Sequence, residues 1–307
     1  VLCMIIATIV GTGVLGVNAS RTSLPGDLLY PVKLTSEKIS ISLTIDDSKK
    51  AEKHLEYAEE RVKEMEAVSA QSLEVNEKKE KMIQAVSGLV EQMEQAQTQL
   101  DKVKETDSVG QAENKVIVEV ALGVDKKAEE INQKIAVKKE EYKEDVELES
   151  ALGEAQATTN VTSVKAVEVV IKGVENSNVE LPTKEIMNVI QKKIENTAVR
   201  VEEMKVSIEQ VGQKVTESQP VAPETTENKV EAVNPVDVIV TIKDKPAAAT
   251  STLSEAQDLL NQGDLTKAIE MIKNTVDITN EVKQTVTQIE ATLVSPAPVA
   301  TTPVETA

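Results

Sequence analysis

Apolar residues in much of this chain recur at alternating intervals of four and three residues. One such series runs Ala51, Leu55, Ala58, Val62 and Met65, and a longer one runs Met82, Val86, Leu89, Met93, Ala96, Leu100 and Val103. This spacing places the apolar residues on one stripe of a helix, while Glu, Lys and Gln occupy its other faces. Each stripe needs a partner that covers it. We therefore predict an all-α chain, an elongated up-and-down helical bundle or an antiparallel coiled coil.

Similar stripes predict three more helices further along the chain. The third runs from Ala112 to Leu148 and a short fourth from Val164 to Val174, with Gly153 as the break between them. Pro182 opens a fifth helix, which continues to Val215. These helices are rich in Val and Ile, whose intrinsic helix preference is weak, so packing between helices must stabilise them.

The pattern changes at residue 218, where four of the ten prolines fall within 218–250. We expect this segment to be a non-helical linker rich in Pro, Thr and Glu. Within it, residues 237–243 contain consecutive β-branched side chains that suit a short strand. The whole chain then divides into residues 1–19, a first helical domain over 24–105, its continuation over 106–217, the linker over 218–250, a helical hairpin over 251–293 and a disordered tail over 294–307.

The predicted hairpin has recognisable helix ends. Thr252 and Glu255 have the spacing of a capping box, Gly263 suits the end of the first helix, and Asp264 can cap the second. Residues 252–280 resemble one tetratricopeptide-type helical hairpin. A solenoid needs about three or more such units, so a plain hairpin is the preferred interpretation.

The N-terminal segment Val1–Val17 has seventeen residues without a charged side chain. Its length suits either a membrane-spanning helix or the apolar part of a signal peptide. Cleavage after Ala19 is one alternative and retention as an anchor is the other. Both predict an extracytoplasmic protein of the cell envelope, and both lead us to expect a basic stretch before Val1. Cys3, the single cysteine, lies inside this segment, so we expect no disulfide in the exported part.

Two motifs follow this segment. Leu24-Pro25-Gly26-Asp27 has the residue order of a type II turn, and Pro31 suits the first turn of a helix. The sequence from Leu24 to Lys33, together with the run from Lys49 to Arg61, resembles the opening of a bacterial family, the domain of unknown function numbered 5667. The motif residues are Pro25, Gly26, Asp27, Tyr30, Pro31, Lys33, Ala51, His54, Leu55, Ala58 and Arg61.

The resemblance implies a helical domain that follows a signal or membrane segment, and it implies no activity and no catalytic residue. It conflicts with the pattern at Ile39, Ile41, Leu43 and Ile45, which alternate with polar residues as in a strand. A lone strand has no partner nearby, and Pro31 suits a helix entry, so we predict a helix here.

Composition excludes several classes of function. The net charge of −18 disfavours nucleic acid as a partner and adsorption to an anionic membrane surface. His54 is the only histidine, and no carboxylate lies three or four residues from it, so we interpret it as structural rather than as a metal ligand. We predict no metal site, no cofactor and no enzymatic activity.

Two functions remain. The first is a structural or protein-interaction module of the cell envelope, whose partner is an unknown protein or a second copy of the chain, with membrane contact through the N-terminal segment if it is not cleaved. The alternative is an extracytoplasmic sensor or carrier that binds a small ligand or a cation with its acidic faces.

Overall fold

The computed structural model describes residues 20–105, 110–176, 183–218 and 235–294, and these residues form helices joined by short turns. The prediction of an all-α helical bundle is confirmed. The predicted signal peptide or anchor, residues 219–234 of the predicted linker, and the tail from residue 295 lie outside the described residues. The helices are α1 Tyr30–Ser42, α2 Asp47–Ala70, α3 Val75–Glu105, α4 Gln111–Glu141, α5 Val146–Asn176, α6 Thr183–Ser218, α7 Pro235–Ile242, α8 Lys245–Gln262 and α9 Leu265–Val294.

The chain divides into two compact units. The first comprises Val1–Ile190 and Asp264–Ile269, and the second comprises Gln191–Gly263 and Glu270–Ala307. Within the first unit α2 packs on α3 and α4, and α5 packs on α4 and α3. Four helices that each contact two neighbours in this cyclic order form a four-helix bundle. The additional helix α1 packs on α2.

The two predicted stripes of α2 and α3 form much of the interior of this bundle. Every residue of the α2 series and every residue of the α3 series up to Leu100 is buried. Helices α4 and α5 contribute mainly aliphatic side chains to the same core, which contains Val124, Ala128, Ile131, Ile135, Leu148, Leu152, Ala155 and Val167. Polar links between helices lie beside this core, and the Ser163 hydroxyl donates a hydrogen bond of 2.6 Å to Asp125 Oδ1.

The second unit contains residues of α6, α7, α8 and α9. The predicted stripe of α6 is buried from Ile194 to Val215. Lys214 Nζ on α6 lies 2.6 Å from Glu290 Oε1 on α9, and Lys245 Nζ at the start of α8 lies 3.0 Å from Glu281 Oε2 on α9. Helices α8 and α9 form a hairpin that turns at Gly263 and Asp264.

Helix boundaries in the middle of the chain differ from the prediction. The break expected at Gly153 occurs at residues 142–145, and Gly153 is a buried residue inside α5. Val116 and Val146 fall within the predicted third helix, whose apolar residues should be buried, but they are 43% and 60% exposed. Consequently a single 31-residue helix replaces the predicted short fourth helix and its predicted break.

The predictions of a non-helical linker and of a strand are wrong for the residues described. Residues 237–242 belong to α7, and residues 245–250 belong to α8. Pro235 begins α7 and Pro246 lies in the first turn of α8, where a missing backbone N–H removes no helical hydrogen bond. Helix α8 therefore starts well before the predicted capping box, and Thr252 Oγ1 donates to the Ala248 carbonyl inside the helix.

The turn at Gly263 generates a prediction about stability. Gly263 ends α8 with φ of +80°, whereas Gly123 lies inside α4, and a Cβ atom added at either position meets no neighbouring atom within 4 Å. Gly263→Ala is expected to destabilise the protein by about 1 kcal/mol because an L side chain disfavours this conformation. Gly123→Ala is the matched control and is expected to stabilise by up to about 1 kcal/mol. Urea unfolding followed by circular dichroism measures both. A stabilising Gly263→Ala would contradict the left-handed turn.

Candidate functional site, a buried ionic cluster

The segment before α1 forms the turn that its sequence predicts. The Asp27 backbone N–H donates to the Leu24 carbonyl over 3.0 Å, and the Leu24 N–H donates to Asp27 Oδ2 over 2.7 Å. Gly26 has φ of +86°, which favours glycine. Pro31 follows in the first turn of α1. This turn leads the chain into α1, with Tyr30 as the first helical residue.

Helix α1 buries polar rather than apolar side chains. Its buried residues are Tyr30, Lys33 and Glu37, which are spaced by three and four residues and so share one face. Two of them carry charge, and a buried charge is stable only when it is paired. The helix therefore depends on compensating charges from its neighbour α2.

Helix α2 supplies those charges through Arg61 and Glu64. Arg61 Nη2 lies 2.5 Å from Glu37 Oε1, and Arg61 Nη1 lies 3.2 Å from Glu64 Oε1. Lys33 Nζ lies 2.7 Å from Glu64 Oε1. We call Tyr30, Lys33, Glu37, Arg61 and Glu64 the ionic cluster. It joins two cations to two carboxylates across the α1–α2 contact.

Tyr30 completes the ionic cluster through its hydroxyl group and its ring. The hydroxyl donates to Glu64 Oε2 over 2.8 Å and accepts a hydrogen bond of 2.7 Å from Arg61 Nη1. The guanidinium carbon of Arg61 lies 5.5 Å from the centre of the Tyr30 ring, within the range of a cation–π contact. Arg61 is only 1% exposed, so these contacts replace its hydration.

Burial shifts the protonation equilibria of the ionic cluster. Burial raises the pKa of Tyr30 despite the nearby charge of Arg61, so the phenol remains a hydrogen-bond donor at neutral pH. Burial also raises the pKa of Glu37, against the lowering effects of Arg61 and Lys33. Burial lowers the pKa of Arg61, but Glu64, Glu37 and Tyr30 outweigh this effect and the net shift is upward. Arg61 therefore remains protonated and positively charged at neutral pH.

A third helix accommodates the ionic cluster by providing space. A Cβ atom added to Gly88 of α3 would lie 2.9 Å from Arg61 Cδ. The aliphatic stem of Arg61 therefore passes directly over Gly88, and a larger residue there would displace it. Gly88 thus contributes to the site without any functional group of its own.

His54 lies on the same helix as Arg61 and is also buried. Its Nδ1 atom is 2.9 Å from Gln92 Oε1 of α3. Burial lowers the pKa of His54, although the Gln92 hydrogen bond and the charge of Glu91 oppose this shift and Lys50 adds to it. His54 therefore joins two helices in its neutral form.

The remaining motif residues are structural or exposed. Ala51, Leu55 and Ala58 are fully buried in the bundle, whereas Pro31 and Asp27 are exposed. Of the eleven motif residues, the ionic cluster contains Tyr30, Lys33 and Arg61. Sequence reasoning missed Glu37, Glu64 and Gly88. Glu37 stands four residues after Lys33 and Glu64 three after Arg61, a spacing that is usually typical of exposed ion pairs.

A cavity of about 230 Å³ lies beside the ionic cluster. Side chains of α1, α2 and α3 line it, among them Glu37, Arg61, Gln84, Glu91 and Gln92. Its volume is below that of most sites for drug-sized ligands. In the described part of the chain, no group of three or more His, Cys, Asp or Glu side chains is arranged to hold a metal ion.

The ionic cluster generates a prediction about Arg61. Arg61→Ala is expected to destabilise the first unit by about 3–5 kcal/mol because it leaves the buried carboxylate of Glu37 without its ion-pair partner and Glu64 with Lys33 alone. All three tyrosines of the chain lie in this unit, so tyrosine fluorescence during urea unfolding reports on it selectively. Lys63→Ala is the control, since Lys63 is 59% exposed in a surface pair with Glu60 and its loss should cost at most about 1 kcal/mol. Equal effects of the two substitutions would contradict a structural role of the ionic cluster.

His54 generates a prediction about pH. Because its pKa is lowered in the folded state, its contribution to stability is complete above its unfolded pKa of about 6.5 and is lost as the pH falls through the folded value. NMR titration of this single histidine should give a midpoint below that of the urea-unfolded chain. His54→Gln should reduce the loss of stability between about pH 7 and pH 5. A folded midpoint at or above the unfolded one would contradict the buried neutral state.

Comparison with curated proteins and with solved structures gives no match. One family model matches, a domain of unknown function, and it covers residues 22–241. The match extends well beyond the segment 24–105 that we assigned from the motifs, and it includes the ionic cluster, the four-helix bundle and α6. With most of its length matched by this model, the chain belongs to the DUF5667 family.

Proposed function

We propose that this protein is an exported or membrane-anchored helical protein of the cell envelope that serves as a structural or protein-interaction module. The observation that carries the proposal is the order of two segments. The uncharged apolar stretch Val1–Val17 is followed, after a short turn region, by an acidic helical bundle. This order suits a protein held at or sent across a membrane, with its helices on the far side.

The ionic cluster supports a structural role. Its side chains are engaged with one another across α1 and α2 over distances of 2.5–3.2 Å. Arg61 and Glu64 are at most 2% exposed, which leaves them little access to a substrate. The buried polar groups that the motif supplies thus position a helix, and we propose that the protein is not an enzyme.

A partner of this module would contact outward-facing residues. The apolar stripes of α2 and α3 are covered within their own bundle, so they offer no binding surface. Val137 of α4 and Val199 of α6 are 66% and 60% exposed. These positions can carry a reporter for contacts made by the first and second unit, respectively.

Photo-crosslinking in intact native cells tests the proposal. A diazirine side chain at Val137 or Val199 is expected to yield a reproducible foreign product in the envelope fraction, identified by mass spectrometry. The matched control places the same group at Ile135, which is fully buried and should label only the chain itself. Recovery of the chain outside the envelope fraction would contradict the proposal. Crosslinked products that contain only a second copy of this chain would restrict the proposed function to that of a self-assembling structural protein.

A second function, a sensor or carrier for a small ligand or cation, is favoured by the cavity beside the ionic cluster. The charged and amide side chains that line the cavity are the carboxylates Glu37 and Glu91, the amides Gln84 and Gln92, and the cations Lys38 and Arg61. Carboxylate and amide oxygens are ligands that Ca²⁺ accepts in proteins. Calorimetric titration of the full chain with Ca²⁺ distinguishes this function from the first: saturable binding that Glu91→Gln weakens would favour it, and no binding would remove its Ca²⁺ form.

A further inference from the structure

Helix α1 has an unusual distribution of side chains. Two of its three charged residues, Lys33 and Glu37, are 6% and 7% exposed, whereas its aliphatic residues Val32 and Ile39 are 37% and 54% exposed. Most helices of water-soluble proteins show the opposite arrangement. The ionic cluster causes this inversion, because Lys33 and Glu37 must face α2 to meet Arg61 and Glu64.

The exposed apolar residues share one side of the helix. Val32, Thr35 and Ile39 lie on α1 at intervals of three and four residues. Leu28, two residues before the helix, and Leu43, directly after it, continue this spacing, and we call these five residues the outward face of α1. Leu28 and Leu43, at its two ends, are 93% and 76% exposed. The face contains no charged residue, and a shallow hollow between Val32 and Ile39 adds to its apolar surface.

The outward face cannot turn inward without breaking the ionic cluster. A rotation that buried Ile39 against α2 would move Glu37 and Lys33 away from their partners. It would also deprive two buried groups of α2 of their α1 partners, Arg61 of Glu37 and Glu64 of Lys33, which is unfavourable. The apolar residues therefore stay at the surface, and contact with a nonaqueous environment would remove their unfavourable hydration.

Chain connectivity favours a lipid bilayer as that environment. Ten residues lie between Val17, the end of the uncharged apolar stretch, and Leu28. Even a fully extended chain would span at most about 40 Å over that distance. If Val1–Val17 lies in a bilayer, α1 is therefore held near the bilayer surface.

Local charge also favours a bilayer. The chain as a whole carries −18, which would oppose contact with anionic lipids. On α1, however, Glu37 is buried and the exposed charged side chain is Lys38, which is 69% exposed and whose Nζ lies 4.0 Å from Glu91 Oε1 of α3. Before the helix, Arg21 and Asp27 are both exposed and their charges offset each other. The apolar residues therefore do not stand in a surplus of negative charge, and cations beside an apolar helix face suit a membrane interface.

We propose that the outward face of α1 lies in the headgroup and acyl-chain boundary of the membrane that holds the N-terminal segment. Leu28, Val32, Ile39 and Leu43 enter this boundary, and Lys38 and Arg21 contact lipid phosphates. The ionic cluster thus orients the bundle against the bilayer. This inference rests on the membrane-anchored form of the proposed function.

The absence of tryptophan from the chain allows a direct test. The full chain carrying Ile39→Trp is reconstituted in vesicles of phosphatidylcholine and phosphatidylglycerol with brominated acyl chains, which quench only tryptophan that reaches the bilayer. We expect at least about a two-fold loss of emission relative to unbrominated vesicles, as for an interfacial side chain. Val137→Trp on α4 is the matched control, since Val137 is also exposed, and it should keep its emission. Val32→Trp provides a second position on the outward face.

The possible results separate this inference from the proposed function. Vesicle flotation first reports whether the chain is anchored, and a chain that does not float overturns both the anchoring and the contact of α1. If the Ile39→Trp variant floats but its emission is unquenched, or is quenched no more than that of the Val137→Trp variant, the contact alone is overturned. Blue-shifted but unquenched emission from the Ile39→Trp variant would show that protein, such as a second copy, covers the outward face instead.

Discussion

Arg61 carries a full charge into a site where it is almost inaccessible to water, and α1 keeps its orientation because of that charge. A buried ion pair contributes little net stability, since desolvation offsets most of the attraction between its members. Loss of one member is nevertheless costly, so the arrangement strongly disfavours alternatives. A shift of α1 by a single residue would separate Tyr30, Lys33 and Glu37 from their partners on α2. The ionic cluster therefore specifies one register for α1 more than it adds stability.

The bundle must be closely packed for this interaction to exist. Arg61 reaches the cluster by passing over Gly88, and α2 and α3, which pack on each other, also fully bury the small residues Ala58 and Ala85. The chain has no Phe and no Trp, so Leu, Met, Ile, Val and Ala fill the core. Small side chains allow two helices to approach closely. The burial of Arg61 thus depends on the close packing of α2 and α3, which their small and aliphatic side chains allow.

The sequence predicts those parts of the fold in which apolar residues drive burial. The stripes of α2, α3 and α6 could be identified from their spacing, because each lies on a helix that buries its apolar side. Helix α1 cannot be predicted in this way, because Ile39, Ile41 and Leu43 alternate with polar residues as in a strand. The prediction of a helix there depends on Pro31, on the lack of a partner strand nearby and on the family resemblance. The buried face of α1 is polar, and that burial depends on Arg61 and Glu64, which are distant in sequence. Pro235 and Pro246 contribute to the prediction of a non-helical linker, because the sequence does not show that each lies in the first turn of a helix.

The ionic cluster and the outward face of α1 are linked thermodynamically. The pairing of Lys33 and Glu37 with α2 determines which side of α1 faces away from the bundle, so a bilayer contact of the proposed kind would favour the arrangement in which this pairing is intact. A ligand that binds only one state stabilises that state. Membrane contact should therefore strengthen the attachment of α1 to the bundle, and a weakened ionic cluster should lower the membrane affinity of the face. The burial of Arg61 on α2 and the exposure of Ile39 on α1 therefore have one cause, the orientation in which α1 packs on α2.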